Sequence, residues 1–237
     1  MATIPSYLVP ADEPARLHSL RHYDVVHSLR DTVFYELVAL TARIFSLPVS
    51  LIALVEEEEV QYAANFGMPG NDVQPRDEAL CSTAILHDKA VVYKDLAIEN
   101  DPFITPRAAQ AAHNNQLRFY AAAPLCMPDQ QNIGALCVID YNPRVFSLNE
   151  QHILERLAAL VSKIIVVRCN CRSLPEAGAT QWQSISAQLR EEVQGLTALV
   201  RYMLTRYGTQ IPVATDMLMQ VERRLHDLDD ILDQLQG

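Results

Sequence analysis

Glycine is scarce in this chain, with seven residues in 237, where average usage of roughly 7% would give about 16. Loops that wrap a phosphate need glycine because only a residue without Cβ lets the backbone close on the anion. Neither G-x-G-x-x-G nor G-x-x-x-x-G-K-[ST] occurs, which excludes P-loop and Rossmann nucleotide enzymes. Basic residues are also few, 19 Lys and Arg against 29 Asp and Glu for a formal charge of −10. A phosphate backbone or an anionic membrane surface is therefore a poor partner. No run of about 18 apolar residues is long enough to span a bilayer, and Met1 to Pro10 lacks the basic and apolar regions of a secretory signal. The expectation is a cytoplasmic protein with neither nucleic-acid nor membrane partners. The five cysteines, Cys81, Cys126, Cys137, Cys169 and Cys171, are odd in number and irregularly spaced, which fits reduced thiols better than a disulfide framework. Cys169 and Cys171 have no second pair at zinc spacing, so no metal site is expected.

What is present is globular, 49% hydrophobic and 20% charged. Residues 1–13 read as a loose arm. A helical pattern starts at Pro14, breaks between Ser28 and Asp31, and resumes over Phe34, Leu37, Val38, Ala42 and Phe45, with Asp31 as N-cap and Pro48 as stop. Val49 to Val55 and Val60 to Phe66 read as strands joined by the acidic turn Glu56 to Glu59. Glu78 to His87 reads as a short helix, Ala90 to Val92 as a strand and Arg107 to Asn114 as a small helix. Phe119 to Leu125 and Ile133 to Asp140 form a second strand pair, and a helix follows from Leu148 to Arg168. Strand pairs bracketed by helices indicate an α+β fold.

Cys169 to Ala179, with Pro175 and Gly178, reads as a boundary, giving a domain over 14–168, a linker over 169–181 and a tail over 182–237. In the tail, apolar residues recur at three and four: Ile185, Leu189, Val193, Leu196, Val200, Met203 and Tyr207, then Leu218, Val221, Leu225, Leu228, Leu232 and Leu235. Gly208 suits a helix end and Pro212 the first turn of the next helix. The spacing predicts an antiparallel hairpin of two helices of about 23 residues, roughly 35 Å long. A lone hairpin exposes its seam, so a homodimeric four-helix bundle is expected, the alternative being a hairpin folded back on its own domain.

Residues Arg16 to Arg168 resemble a GAF domain of the bacterial type found upstream of histidine kinases and diguanylate cyclases. The resemblance rests on Leu20-Arg-His-Tyr-Asp24, Pro48-Val-Ser-Leu-Ile-Ala-Leu54, Gln61 to Gly67, Leu80-Cys81, Val91-Val-Tyr-Lys-Asp95 and Asp101-Pro-Phe103. It continues through Leu117-Arg-Phe-Tyr-Ala-Ala-Ala-Pro-Leu125, Ile133-Gly-Ala-Leu-Cys-Val-Ile-Asp140, Pro143-Arg144 and Leu148 to Gln151. It implies an antiparallel sheet of about six strands, with terminal helices on one face and small middle helices on the other. Where the family binds a small molecule, the pocket lies between the sheet and the middle helices. The Asn-Lys-Phe-Asp-Glu pattern of cyclic-nucleotide relatives is missing, and Arg107 to Asn115 offers His113 but no bilin-attaching cysteine. Neither cofactor is expected.

The pocket candidates are Cys81, His87, Asp95, His113, Arg118 and Tyr120. Cys81 at a helix start reads either as an activated thiolate or, more plainly, as a small buried hydrophobe. Arg118 either meets an anionic ligand or forms an internal ion pair with Asp95 or Asp101. Cys126 and Cys137 read as core. No catalytic set is assignable from order and spacing. Trp182 to Tyr207 holds no histidine, so the tail resembles a kinase dimerisation hairpin in architecture alone. The expected function is a non-enzymatic sensory or regulatory protein, with a small ligand in the GAF pocket and a signalling protein as partner. Two alternatives stand beside it, a thiol redox sensor or reductase using Cys81, and a ligand-free structural dimer. A pocket below about 300 Å³ would favour the last.

Overall fold

The computed structural model describes residues 4–23, 31–70, 72–174 and 177–234. A six-stranded antiparallel sheet lies at its centre, built from β1 (Val49–Val55), β2 (Glu59–Phe66), β3 (Val73–Pro75), β4 (Val91–Tyr93), β5 (Phe119–Cys126) and β6 (Asn132–Asp140), in the order β3-β2-β1-β6-β5-β4. The helices are α1 (Glu13–His22), α2 (Thr32–Phe45), the single turn α3 (Cys81–Ala84), α4 (Pro106–Asn114), α5 (Leu148–Arg172), α6 (Gly178–Tyr207) and α7 (Thr215–Gln234). The fold is α+β, as the strand pairs and terminal helices indicated. The edge strand β3 escapes the sequence pattern because it is three residues long and ends in proline.

Side chains alternate across the sheet with the period of two that a strand imposes. On β6, Leu136 and Val138 enter a core shared with α1, α2 and α5, whereas Ala135, Cys137 and Ile139 enter a second core beneath α3 and α4. Ile52 and Leu54 of β1 face the first core, and Leu51 and Ala53 the second. The central pair β1 and β6 lies close at Gly134, where a Cβ would stand 2.1 Å from the carbonyl oxygen of Ala53. The expected acidic turn joins β1 to β2, closed by the Glu56 N–H donating to the Glu59 carbonyl at 2.8 Å.

Several boundaries differ from the sequence reading. The helix expected over 78–87 is reduced to a 3-10 turn at Arg76–Glu78 and the four residues of α3. Helix α5 runs on to Arg172, and α6 begins at Gly178, so both enter the expected linker. The tail helices have 30 and 20 residues. Gly208 caps α6 at φ 74°, but α7 starts at Thr215, beyond Pro212. Asp31 sits at the N-cap of α2 without accepting a cap hydrogen bond; its carboxylate instead accepts from Arg168 at 2.9 Å and the Trp182 indole N–H at 2.6 Å. The expected break between Ser28 and Asp31 falls largely outside the described residues.

The tail corrects the expectation that a second copy must cover the hairpin seam. Leu189, Val193, Leu196, Val200, Met203, Leu218, Val221, Leu225, Leu228 and Leu232 are each at most 6% exposed within the single chain, and they belong to the same core as α2 and α5. Leu235 lies outside the described residues. The four-helix layer is thus formed by α2, α5, α6 and α7 of one chain. Polar contacts along both sides fix its register: Arg190 to Glu36 at 3.0 Å, Arg156 to Asp229 at 2.6 Å, Lys163 to Asp233 at 2.6 Å and Arg224 to Glu192 at 2.8 Å. An apolar seam needs a partner of matching period, and α2 and α5 of the same chain already supply apolar faces within reach. Among the described residues no helix is long and apolar enough to cross a membrane.

Candidate functional site

The second face of the sheet carries the candidate site. Its roof is α4, whose Ala108, Ala111 and Ala112, with the C-cap residue Asn115, line one wall of a crevice at the spacing of a single helix face. Small side chains at three of these positions leave the gap. The roof is clamped at its N-terminus: the Thr105 hydroxyl accepts from the Ala108 N–H at 2.9 Å and donates to the Asp77 carbonyl, while Arg107 donates to the Asp77 carboxylate at 2.7 Å and also to Glu78. The floor is Leu51, Tyr120 and Ile139 of the sheet, and Cys81, Tyr62 and Gln74 complete the lining together with Glu78 and the apolar Met68, Leu80 and Leu117.

The crevice measures about 30 Å³, room for about one water-sized molecule and far below the roughly 300 to 1,000 Å³ of a typical ligand pocket. A cleft of about 470 Å³ lies on the other face of the sheet, and Cys126 on its wall is exposed. That corrects the expectation that Cys126 is core: it ends β5, where a register shift turns it outward.

Within the crevice the chemistry is concentrated on sulfur and phenol. Cys81 and Cys137 are 2% and 0% exposed, and their sulfur atoms lie 3.9 Å apart. The contact with Cys137 is the main influence holding the Cys81 thiol below its ordinary range, against the opposing effect of burial and with help from Tyr120. The same contact, together with burial, pushes the Cys137 thiol well up. The Tyr120 hydroxyl is buried and makes no hydrogen bond of good geometry; burial raises its pKa well above the phenol range. Its ring stacks on Tyr93 at 5.9 Å, whose hydroxyl donates to Thr83 of α3 at 3.2 Å. The Tyr62 hydroxyl donates to Gln74 at 2.5 Å. The expected effect of a helix start on Cys81 is minor, because α3 is one turn long and its neighbour Cys137 dominates.

The remaining candidates do not converge on the crevice. Arg118 makes a two-pronged ion pair with Asp95, both bonds at 2.8 Å, which holds the Asp95 carboxyl below the usual range. That is the structural alternative, pinning the segment after β4 to β5. His87 packs edge-on against Phe103, and His113 is exposed on α4. Only Cys81 and Tyr120 of the six meet at one place. Cys137 and Tyr62 carry no local mark of a site in the sequence, because the fold alone brings them to Cys81, Cys137 from 56 residues away and Tyr62 across the shared crevice; the period-two alternation does place Cys137 and Tyr120 on strands. Among the described residues no group of three His, Cys, Asp or Glu side chains is placed to hold a metal ion.

The chain has a 29% identical relative over 166 residues, a cyclic di-GMP phosphodiesterase of Pseudomonas aeruginosa. The match covers 68% of this chain and 26% of that protein, so the chain spans about a quarter of the length of the curated relative it matches. Solved structures with a similar fold include a GAF domain region of a membrane protein from Geobacter sulfurreducens, at 18% identity over 62% of this chain and 97% of that one with a TM-score of 0.47. Another is the GAF domain of an Acinetobacter phosphoenolpyruvate-protein phosphotransferase, at 17% identity over 65% and 98% with a TM-score of 0.47. The GAF domain family model matches residues 29–165, which hold the whole sheet, α3, α4 and most of α5, and by that match the chain belongs to the GAF domain family.

Proposed function

We propose that this chain is a non-enzymatic regulatory module of a signalling protein, which takes its input at the crevice beneath α4 and passes it through the sheet to the α6–α7 hairpin. One observation carries the reading: strands β1, β5 and β6 are shared by both faces, residue by residue. Cys137 on β6 touches the crevice residue Cys81, while its neighbours Leu136 and Val138 pack in the core that contains the hairpin. A shift at one face therefore reaches the other through a single strand. The hairpin rests on α2 and α5 through its buried apolar seam, bordered by partly exposed ion pairs, and such pairs exchange partners at small cost. The crevice volume favours a water-sized or chemically small input over a large ligand.

The coupling requires two arrangements of the hairpin with different energies. Hydrogen exchange on the full chain tests it, comparing wild type with Ala111→Leu, which fills the crevice mouth from α4. The expected result is at least a twofold change in exchange rates within α6 where it faces α2, with unchanged far-ultraviolet circular dichroism. Changes confined to α3 and α4 would overturn the reading.

A further inference from the structure

The geometry points to a modification site: Cys81 and Cys137 form a reversible disulfide when hydrogen peroxide enters the crevice beneath α4. This rests on the crevice being the input site and names its chemistry. Four observations support it. The two sulfurs are 3.9 Å apart on separate elements, α3 and β6, and closing to a bond of about 2.05 Å requires an approach of about 2 Å. The element that must move is a single helical turn. The cavity against Cys81 measures about 30 Å³, room for a guest of one or two oxygen atoms, which suits hydrogen peroxide and excludes bulkier oxidants. Finally, Tyr120 lines that cavity, and its buried hydroxyl has no hydrogen-bond partner of good geometry among the described residues, a polar group that a small polar guest would satisfy.

The reaction balances within this set. The Cys81 thiolate attacks one peroxide oxygen; the O–O bond breaks, an S–O bond forms, and the departing hydroxide takes up the proton that Cys81 released, giving water. The Cys137 sulfur then attacks the Cys81 sulfur of the sulfenic acid. The S–S bond forms, the S–O bond breaks, and the leaving hydroxide carries off the Cys137 proton as a second water. Two thiols lose two electrons in total, and the peroxide is reduced to two waters. A dithiol reductant such as dithiothreitol reverses the step by exchange.

The test treats the full reduced chain with hydrogen peroxide in modest excess, quenches by alkylation under denaturing conditions, and maps peptides without reduction. The expected result is a Cys81–Cys137 linked peptide lighter by two hydrogens than its two free peptides, at severalfold higher yield than any other cysteine pairing, and lost on dithiothreitol treatment. Cys137→Ser is expected to leave a sulfenic acid on Cys81 that dimedone captures. The proposal is overturned if Cys81 and Cys137 stay alkylatable while exposed Cys126 is oxidised, or if Cys81 goes to sulfinic acid without pairing. Disulfide formation with unchanged exchange in α6 supports this site and refutes the coupling proposed above. A missing disulfide leaves the Ala111→Leu experiment to decide that coupling by itself.

Discussion

Glu150 offers the sharpest check on how the hairpin is joined to the domain. Its carboxylate is fully buried and accepts from four donors: Arg144 Nη2 at 2.9 Å, the Ser147 N–H at 2.7 Å, the Ser147 hydroxyl at 2.8 Å and the Val213 N–H at 3.2 Å. One side chain thus closes the capping box of α5, neutralises a buried guanidinium and ties down the loop before α7. Arg144 is 1% exposed at its side chain, and its Nε and Nη1 have no other partner. Glu150→Gln keeps the volume, so no cavity term enters; what it removes is the charge opposite Arg144. Breaking one side of a buried pair costs about 3–5 kcal/mol. With the amide oxygen kept on Ser147, the amide NH2 faces Arg144 and the Val213 N–H, two donors that lose their acceptor, so the expected loss spans that range, about 3–5 kcal/mol. Urea denaturation followed by circular dichroism and by Trp182, the only tryptophan, measures it, with an unchanged m-value showing that stability alone has altered. Arg144→Met combined with Glu150→Gln is expected to recover part of the loss, with a coupling energy of about 1–3 kcal/mol. A Glu150→Gln loss below about 1 kcal/mol, a surface-pair value, would refute the reasoning.

Further outcomes follow from the same geometry. Glu13 accepts from Arg16 at 2.6 Å and Arg76 at 2.5 Å, both arginines being 1% exposed, and although burial opposes it these bonds hold its carboxyl below the usual range. A lowered folded-state pKa gives stability that is present above the unfolded value and lost as pH falls through the folded one. The stability gap between wild type and Glu13→Gln is therefore expected to be full at neutral pH and to shrink below about pH 4, measured by urea titrations across that window; a gap that grows with acid would contradict it. Gly134→Ala forces a methyl onto the Ala53 carbonyl and is expected to cost about 1–3 kcal/mol, read from the thermal midpoint, whereas a neutral result would show that β1 and β6 separate freely. Leu196→Ala, at a fully buried position of α6, is expected to cost about 2–5 kcal/mol without altering sedimentation; a change of oligomeric state would place this residue in an interface.

The sheet was legible because burial on both faces leaves near-continuous apolar runs at Val49 to Val55 and Ile133 to Ile139, and because the turns between strands carry their own chemistry. The long helices α2, α5, α6 and α7 were legible from spacing, whereas the single turn α3 was not. What covers the tail was not: the three-and-four seam of Leu218 to Leu232 records that a partner exists, and is silent on whether it belongs to the same chain. Burial of charge was equally hidden, since Arg16, Arg76 and Arg144 look in sequence like any surface arginine until Glu13 and Glu150 are placed beside them. Cys81 and Tyr120 were found as site candidates one at a time. Their meeting with Cys137 depends on the pairing of β5 with β6 and on the truncation of α3 to one turn, neither of which leaves a local mark.

The hairpin's attachment to its own domain is tested most directly by a zero-length carbodiimide cross-link between Lys163 of α5 and Asp233 of α7, which stand 2.6 Å apart. Equal amounts of ¹⁴N and ¹⁵N full-length chain are mixed, allowed to exchange, cross-linked and digested. An intrachain hairpin gives linked peptides in which both halves carry the same isotope. Linked peptides of mixed isotope, at the frequency that random pairing sets, would show the hairpin on a neighbouring chain and contradict the account.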